Sequence, residues 1–487
     1  MSAAAEGTLH GVRRNDYGPL RRPLGEWAPH LSVSVVIPAN GRQERLDVVL
    51  AALAAQTYPE ELFEVVVVDD GSDPALRLPE LRPANAKVVQ PLPGGWASAH
   101  ATNSGVERSD GDVVLRLDSD MLAFADHVES QMRWHHAADH LAVLGHKRFV
   151  DYRDGDLDPR EVYERVAAGR AAELFRAEDA EPQWIEAIID RTDALRDADH
   201  RAFRVLVGAT FSVPRSLFKA AGGMDADVLL GSDTIFGYRL HQAGAAFVPD
   251  GDSSSWHLGP RQISARGELA KRYRRPFIAG RVPELDLKRP RARRGWETPL
   301  AEVVVDAGPG AEDCVDRILT GTVPDVRVTL LGEWPGPPPE RHPPLDDPDL
   351  EARLLAESFR GEPRVRLDSE VRDDRAVPYR VWLPAAARPA PGAVEALIAH
   401  ANEARLGRLE VVLPAGTARL VRTAAAARAA HLGADIADVW GAECVTEGPL
   451  VEALLGEASP RASGAGAAGP ANGVAGRARG LLRRLRR

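Results

Sequence analysis

Three apolar runs that end in polar or acidic residues decide the fold: SVSVVIPAN at 32–40, FEVVVVDDGS at 63–72 and DVVLRLDSD at 112–120. Each contains a β-branched stretch of strand length, which predicts a buried strand, and the first is expected to stop at Pro38. Between the first two runs, apolar residues recur at helical spacing from Leu46 to Leu53. Strand, helix and strand form a βαβ unit. We therefore predict an α/β domain built on a mostly parallel sheet.

The carboxyl ends of these strands are expected to form one ligand site, because open parallel sheets bind ligands at that edge. Asp69 and Asp70 end the second run, and Asp118 and Asp120 end the third. Two carboxylates two residues apart can present oxygens to a hard divalent cation, Mg²⁺ or Mn²⁺, which neutralises a diphosphate. Asp-Ser-Asp alone is more often a solvated turn. The strand that precedes it favours a site here.

Six segments, in this order along the chain, resemble family 2 glycosyltransferases with the GT-A fold. They are SVVIPAN (34–40), VVVVDDGS (65–72), RLDSDM (116–121), VGATFSVPRSLFKAAGGMD (207–225), GSDTIFGYRLHQAG (231–244) and FVPDGDSSSWHLGPR (247–261). The first three resemble the nucleotide-binding half of the family, the next two its acceptor half, and the last the segment that closes the site. The resemblance covers about residues 30–275. It implies an inverting, metal-assisted transfer of a sugar from a nucleotide donor, UDP above all, to an acceptor hydroxyl of a cell-envelope glycan or a secondary metabolite.

The resemblance implies roles for four residues at the donor side. Pro38 and Ala39 would line the nucleotide pocket, and Asp70 would hydrogen-bond the base. Asp118 would contact the ribose or a metal-bound water. The competing interpretation of Asp70 is a plain Asp-Gly turn.

The resemblance also implies that Asp120 and His257 ligate the metal, Mn²⁺ or Mg²⁺, and that Asp233 is the general base. His257 follows a tryptophan, so simple packing is the alternative. Asp233 could instead cap a helix. Family members often carry acids just before and two residues after the base, where this chain has Ser232 and Ile235. These departures put the acceptor half, rather than the metal half, in doubt.

Bulk composition narrows the function classes. The chain has 487 residues, more than one hydrophobic core usually serves, so two domains are expected. Its net charge of −10 argues against a nucleic-acid binder. Cys314 and Cys444 are too far apart in sequence to form a metal motif. No apolar run is long enough to span a membrane and no secretory signal is visible, so we expect a cytoplasmic protein.

The expected organisation has four parts: an N-terminal extension at 1–30, a GT-A domain at 31–290, a second α/β domain at 297–456 and a flexible Arg-rich tail at 459–487. The ordered pattern is expected to begin at Leu31. A basic linker separates the domains. The tail could contact an anionic membrane surface from the cytoplasmic side, which would suit a lipid-linked acceptor, or could be a solubilising end.

The second domain resembles the first faintly. EVVVDAGPG at 302–310 is similar to an entry strand and its turn, and Arg366 to Glu370 (RLDSE) is similar to the RLDSD sequence of the first domain. A degenerate GT-A repeat and an unrelated α/β domain both remain open. The RLDSE carboxylates are more simply interpreted as surface charge.

Two other function classes remain open. A sugar nucleotidyltransferase would be expected to carry a triphosphate loop rich in glycine and in arginine or lysine after its first strand. Residues 41–45 (GRQER) are too short and too poor in glycine for such a loop. A non-catalytic nucleotide-sugar-binding subunit is compatible with Ser232 and Ile235. Hydrolysis of the donor without acceptor would separate an enzyme from such a subunit.

Overall fold

The computed structural model describes residues 12–259, 267–285, 296–336 and 343–456. Within these residues the first part of the chain forms a seven-stranded and a three-stranded sheet. Its strands are β1 (Val33–Ala39), β2 (Phe63–Asp69), β3 (Ala86–Val89), β4 (Val113–Leu117), β5 (Met121–Ala123), β6 (Leu141–Gly145), β7 (Arg148–Val150), β8 (Thr210–Pro214), β9 (Ala246–Asp250) and β10 (Ser255–Leu258). Its α-helices are α1 (Gln43–Leu53), α2 (Ala97–Glu107), α3 (His127–His135), α4 (Pro159–Ala167), α5 (Glu186–Arg191), α6 (Arg215–Ala220), α7 (Ser232–Gln242) and α8 (Gly267–Arg281).

The large sheet has the order β3-β2-β1-β4-β8-β6-β9. Only β8 runs against its neighbours, so the sheet is mostly parallel and the predicted α/β fold class is confirmed. The three predicted strands are present as β1, β2 and β4. The expectation that the first strand stops at Pro38 is wrong, because β1 continues to Ala39. Its pairing with β4 ends at Val36, and proline is tolerated where one side of a strand is unpaired.

Helices cover both faces of this sheet, which explains why its strands are almost continuously apolar. Val35 and Ile37 face a cluster that includes Leu46 and Leu50 of α1. Val36, between them, faces the other side, where α2 and α7 pack. Burial on both faces fixes the strands firmly and makes their carboxyl ends a rigid mount for a site.

The small sheet has the order β5-β10-β7 and lies beside the carboxyl end of β4. Its first strand begins one residue after Asp120. In the register of the sheet, His257 of β10 stands opposite Met121 of β5 on one side and Phe149 of β7 on the other. The pairing of β10 with β5 therefore places His257, which comes late in the domain, next to the Asp-Ser-Asp turn.

The second part of the chain forms another seven-stranded sheet within the described residues. Its strands are β11 (Ala301–Asp306), β12 (Val326–Leu331), β13 (Val365–Asp368), β14 (Tyr379–Leu383), β15 (Arg408–Leu413), β16 (Gly416–Arg422) and β17 (Ala442–Val445). Its helices are α9 (Ala311–Leu319), α10 (Leu350–Ser358), α11 (Ala393–Glu403), α12 (Thr423–Leu432), α13 (Ile436–Val439) and α14 (Pro449–Leu455).

This sheet repeats the topology of the first. Its order is β13-β12-β11-β14-β16-β15-β17, and only β16 is antiparallel to its neighbours. Both the spatial order and the order along the chain match the first sheet strand for strand. Of the two open interpretations, the topology therefore supports a repeat of the first domain.

The similarity between RLDSE at 366–370 and RLDSD at 116–120 does not reflect equivalent positions. Arg366 to Asp368 lie in β13, at the edge of the sheet, where the first sheet has β3. The strand equivalent to β4 is β14, and it is followed by Pro384, Ala385 and Ala386. A five-residue match is too short to locate a strand in a sheet.

The expectation that order begins at Leu31 is also wrong. Val12, Tyr17 and Leu20 are buried against Trp134 and the outer strands β6 and β9. The Asn15 side chain bridges to both backbone groups of Phe247 in β9. This segment covers the edge of the first sheet, and its sparse apolar residues carry no periodicity that would have predicted it. The basic linker and the Arg-rich tail fall mostly or wholly outside the described residues. No described helix is long and apolar enough to cross a membrane.

Candidate functional site

The Asp-Ser-Asp turn follows β4 and is fixed by backbone hydrogen bonds. The Asp118 N–H donates to the carbonyl of Ala209, just before β8, at 2.8 Å. The Asp120 carbonyl accepts from the N–H of Leu258 in β10, also at 2.8 Å. The turn is therefore tied to both sheets, and its carboxylates are mounted on an ordered backbone.

Asp118, Asp120 and His257 converge at this point. One ligand atom from each can be chosen so that all lie within 4.8 Å of one another. Asp120 Oδ1 is buried without a hydrogen-bond partner and lies 3.5 Å from His257 Nε2. That separation is long for a hydrogen bond, whereas two ligands of one octahedral ion stand roughly 3 Å apart. The donor set and the unpaired buried oxygen fit a divalent cation.

His257 is also packed, so both sequence interpretations apply to it. Its ring lies 4.4 Å from the ring of Phe149, centroid to centroid, and its Nδ1 is buried without a hydrogen-bond partner. Packing by β7 sets the orientation in which Nε2 faces Asp120.

Burial raises the pKa of Asp120, and the carboxylate of Asp118 adds to this, while His257 and Arg45 act in the opposite direction. Arg45 of α1 is buried, with its guanidinium donating to the Leu258 carbonyl at 2.7 Å and pairing with Asp154. A desolvated carboxylate is favoured in its charged form when a cation lies next to it. A bound divalent ion would supply that charge.

Arg116, two residues before Asp118, is a functional candidate that the sequence analysis did not single out. Its guanidinium donates to Asp118 Oδ1 at 2.7 Å and to Ser98 at 2.6 Å, and it contacts the Thr102 hydroxyl at 3.3 Å. The third guanidinium nitrogen, Nη1, is buried without a hydrogen-bond partner. A charged residue inside an otherwise apolar strand was the signal available for it, because β4 is buried throughout.

Lys147, in the turn between β6 and β7, is a second residue that was missed. Its side chain is almost fully buried. Burial lowers its pKa to about 8, although the carboxylates of Asp118, Glu186 and Asp233 act to raise it. Lys147 thus lies in the field of both the proposed metal-binding turn and the proposed base. No sequence motif marks a lone lysine of this kind.

Asp233 is the second residue of α7 and lies at the helix N-terminus. Its two carboxylate oxygens accept hydrogen bonds from the backbone N–H groups of Thr234 at 2.8 Å and of Gly208 at 3.3 Å. A Cβ built at Gly208 would lie 3.2 Å from the Arg116 guanidinium, so Arg116 lies beside Gly208. Asp233 and Asp118 therefore flank the same short stretch of structure, each hydrogen-bonded to one of these two residues.

The donor-side residues lie at the carboxyl ends of β1 and β2. Pro38 and Ala39 pair with Val68 and Asp69 in the parallel register. Asp70 follows β2, and its Oδ2 accepts from the Ala97 N–H at the start of α2, at 2.7 Å. Asp70 thus stabilises a helix N-terminus in addition to any contact with a base. The preceding Asp69 closes the turn through the backbone N–H groups of Ser72 and Leu76.

Comparison with known proteins finds a family model that matches part of the first domain. Residues 34–203 match the profile of Glycosyl transferase family 2. The chain is 27% identical over 254 residues to the uncharacterized glycosyltransferase YfnE of Bacillus subtilis, covering 47% of this chain and 64% of that protein. It is 31% identical over 223 residues to validoxylamine A glucosyltransferase of Streptomyces hygroscopicus subsp. limoneus, covering 44% and 48%. It thus spans less than two thirds of either relative.

Among solved structures, the chain is similar to a mannosyltransferase of Pyrobaculum calidifontis in complex with GDP-mannose and Mn²⁺. The identity is 18% and the TM-score is 0.35, over 55% of this chain and 69% of that one. The matched profile covers β1, β2 and β4 together with the Asp-Ser-Asp turn. Through residues 34–203, the first domain of this chain is similar to glycosyl transferase family 2.

Proposed function

We propose that the chain is an inverting glycosyltransferase that moves a sugar from a UDP-sugar donor to an acceptor hydroxyl with the help of Mn²⁺ or Mg²⁺. The observation that carries the proposal is the buried, unpaired Oδ1 of Asp120, 3.5 Å from His257 Nε2. Asp118 and Asp120 lie at the carboxyl end of β4, the edge at which α/β sheets bind ligands. Asp118, Asp120 and His257 would hold the ion.

The ion would stabilise the negative charge that builds on the departing diphosphate. Two cationic side chains, Arg116 and Lys147, act on the acidic residues of the proposed site. Arg116 holds Asp118 at 2.7 Å, which fixes the orientation of that carboxylate. Lys147 lies in the field of Asp118 and Asp233, so its charge offsets the repulsion between acidic groups on the two sides of the site.

Asp233 would act on the acceptor. Its carboxylate would take the proton from the acceptor hydroxyl as that oxygen forms a bond to the anomeric carbon. The bond from that carbon to the diphosphate oxygen breaks with its electron pair leaving on the nucleotide. Attack from the face opposite the leaving group inverts the anomeric configuration. The hydrogen bonds from Thr234 and Gly208 hold the carboxylate in place at the N-terminus of α7.

The curated relatives are named as glycosyltransferases, which supports sugar transfer as the reaction class. The match of the family profile to the strands that carry the site supports the same class.

Donor hydrolysis tests the proposal without knowledge of the acceptor. The full chain is incubated with a panel of UDP-, GDP- and dTDP-sugars and Mn²⁺, and released nucleoside diphosphate is measured. We expect slow, Mn²⁺-dependent release from a UDP-sugar, abolished by EDTA and by Asp120→Asn and reduced less by Asp118→Asn. Binding of a UDP-sugar without any release, in the presence of Mn²⁺, would instead identify a non-catalytic binding subunit.

A further inference from the structure

A second group of potential metal ligands lies where the two domains meet, far from the site described above. Asp139 and His140 directly precede β6 of the first domain, and His431 lies near the end of α12 in the second. Ligand atoms of the three side chains all lie within 4.8 Å of one another. Because β4 and β6 run in the same direction, the amino end of β6 is at the sheet edge opposite to Asp118 and Asp120.

The geometry of this cluster is that of converging ligands. Asp139 Oδ1 lies 2.8 Å from His431 Nε2 and 3.8 Å from His140 Nδ1. The two imidazole rings are 5.9 Å apart, centroid to centroid. Buried polar atoms are nearly always hydrogen-bonded, yet neither ring nitrogen of His140 has a hydrogen-bond partner, although the residue is only 6% exposed. The unpaired ring nitrogens of this buried histidine fit a bound ligand.

The surrounding structure brings these side chains together firmly. Arg428, three residues before His431 on the same face of α12, donates to the carbonyls of Gly244 and Ala245, both at 2.7 Å. On the other side, the His140 carbonyl accepts from the Ala246 N–H at the start of β9. The helix that carries His431 is thus fastened to the first domain next to His140.

Two imidazoles and a carboxylate form a donor set that suits Zn²⁺, with water as the fourth ligand. Asp139 and His431 are both exposed, so water can reach the site. A metal binds the neutral form of an imidazole. The carboxylate pairing with His431 orients that ring.

We propose that Asp139, His140 and His431 form a structural Zn²⁺ site that fastens the second domain to the first. The ion would complete the coordination of His140 and join ligands 291 residues apart in sequence, from His140 to His431. Its role would be to hold the domains together, and donor binding at the opposite edge would not require it.

Zn²⁺ titration of the full chain tests the site. The chain is stripped with EDTA and desalted, and His257→Ala is introduced so that the site at Asp120 is disabled. We expect calorimetry to show a single tight Zn²⁺ site in this background and Zn²⁺ to raise its apparent melting temperature. Adding His431→Ala, or His431→Gln to keep a hydrogen bond to Asp139, should weaken Zn²⁺ binding by about 100-fold or more and remove the thermal shift.

A matched control is available in the same domain. His400 also pairs with a carboxylate, that of Glu443 at 2.9 Å, and is about as exposed as His431, but it belongs to no three-ligand cluster among the described residues. His400→Ala in the same background should leave Zn²⁺ binding unchanged. Absence of a tight Zn²⁺ site before His431 is altered, or equal binding with and without His431, would overturn the proposal.

Discussion

The two large sheets share one topology but end differently at their central strands. In the first sheet β4 leads into Asp118-Ser119-Asp120, and in the second the equivalent β14 leads into Pro384-Ala385-Ala386. Proline and alanine side chains offer no ligand atoms. The two sheets therefore share a strand order but differ in the residues that could bind a ligand, and a shared fold does not imply a shared function.

A second difference lies in what is inserted around the shared strands. The first domain carries β5, β7 and β10, which form the small sheet that holds His257. In the second, β14 is followed by α11 and β15, and the described residues contain no equivalent small sheet. Within its described residues, the second domain has neither an acidic turn after β14 nor a small sheet that would bring a histidine to that position.

The second domain contributes instead to a polar junction with the first. Arg422 of β16 is fully buried and pairs with Glu284 at 3.1 Å, and the Tyr379 hydroxyl donates to the same carboxylate at 2.9 Å. Arg428 of α12 donates to the carbonyls of Gly244 and Ala245 across the same junction. The second domain thus contributes buried cations to its contact with the first.

The largest effect is expected on turnover. Asp233→Asn should lower it by roughly a hundredfold or more with little change in donor affinity, because the acceptor loses its base. Asp435 is the matched control: its side chain caps α13, the helix that precedes β17 as α7 precedes β9. Asp435→Asn should leave turnover unchanged. Steady-state kinetics on both variants, once folding is checked by circular dichroism, would reject Asp233 as the base if both retain normal turnover.

The next largest effect is expected on stability at the junction. Arg428→Met keeps much of the side-chain volume but removes the donors to three carbonyls, those of Gly244, Ala245 and Arg14. Left unsatisfied and buried, these carbonyls should reduce the free energy of unfolding by roughly 2 kcal/mol. Urea unfolding measures the change. An unchanged midpoint and slope would mean that the two domains are not held together by this contact.

A smaller effect concerns the pH dependence of the same junction. Burial outweighs the attraction of Arg422 and raises the pKa of Glu284 to about 7, from a reference value of 4.5. Between these values the folded state keeps a proton that the unfolded state releases, so this group makes stability fall as pH rises from 4.5 to 7. Glu284→Gln should remove a contribution on the order of 1 kcal/mol to that fall. Urea unfolding of the unaltered protein and of Glu284→Gln at pH 5 and pH 7 measures this contribution. If the free energy of unfolding changes equally between the two pH values in the two proteins, the assignment to Glu284 is contradicted.

The strands that position the site were predictable because their signal is local. β1, β2 and β4 are continuous apolar runs bounded by turn residues. In contrast β13 and β17 are short and only partly buried, and neither was predicted. The structure brings Asp118, Asp120 and His257 together, and their role as metal ligands stays a prediction.

The missed residues act through contacts distant in sequence. The carboxylates of Asp118, Glu186 and Asp233 act on the pKa of Lys147, and no local sequence pattern relates them to it. His140 meets His431 only because two domains dock. The RLDSE similarity does not mark an equivalent strand, because residues 366–368 lie in the edge strand β13 and not in the central strand β14.

Binding of UDP compares the two sheets most directly. Calorimetric titration of UDP into the full chain with Mn²⁺ would be run for the unaltered protein, for Asp120→Asn and for Glu370→Gln, the latter in the misleading RLDSE sequence. We expect the unaltered protein and Glu370→Gln to bind UDP equally, and Asp120→Asn or EDTA to weaken binding about tenfold or more, equivalent to about 1.4 kcal/mol. Binding that is indifferent to Asp120 and EDTA, or that is lost with Glu370→Gln, would contradict a site confined to the first sheet.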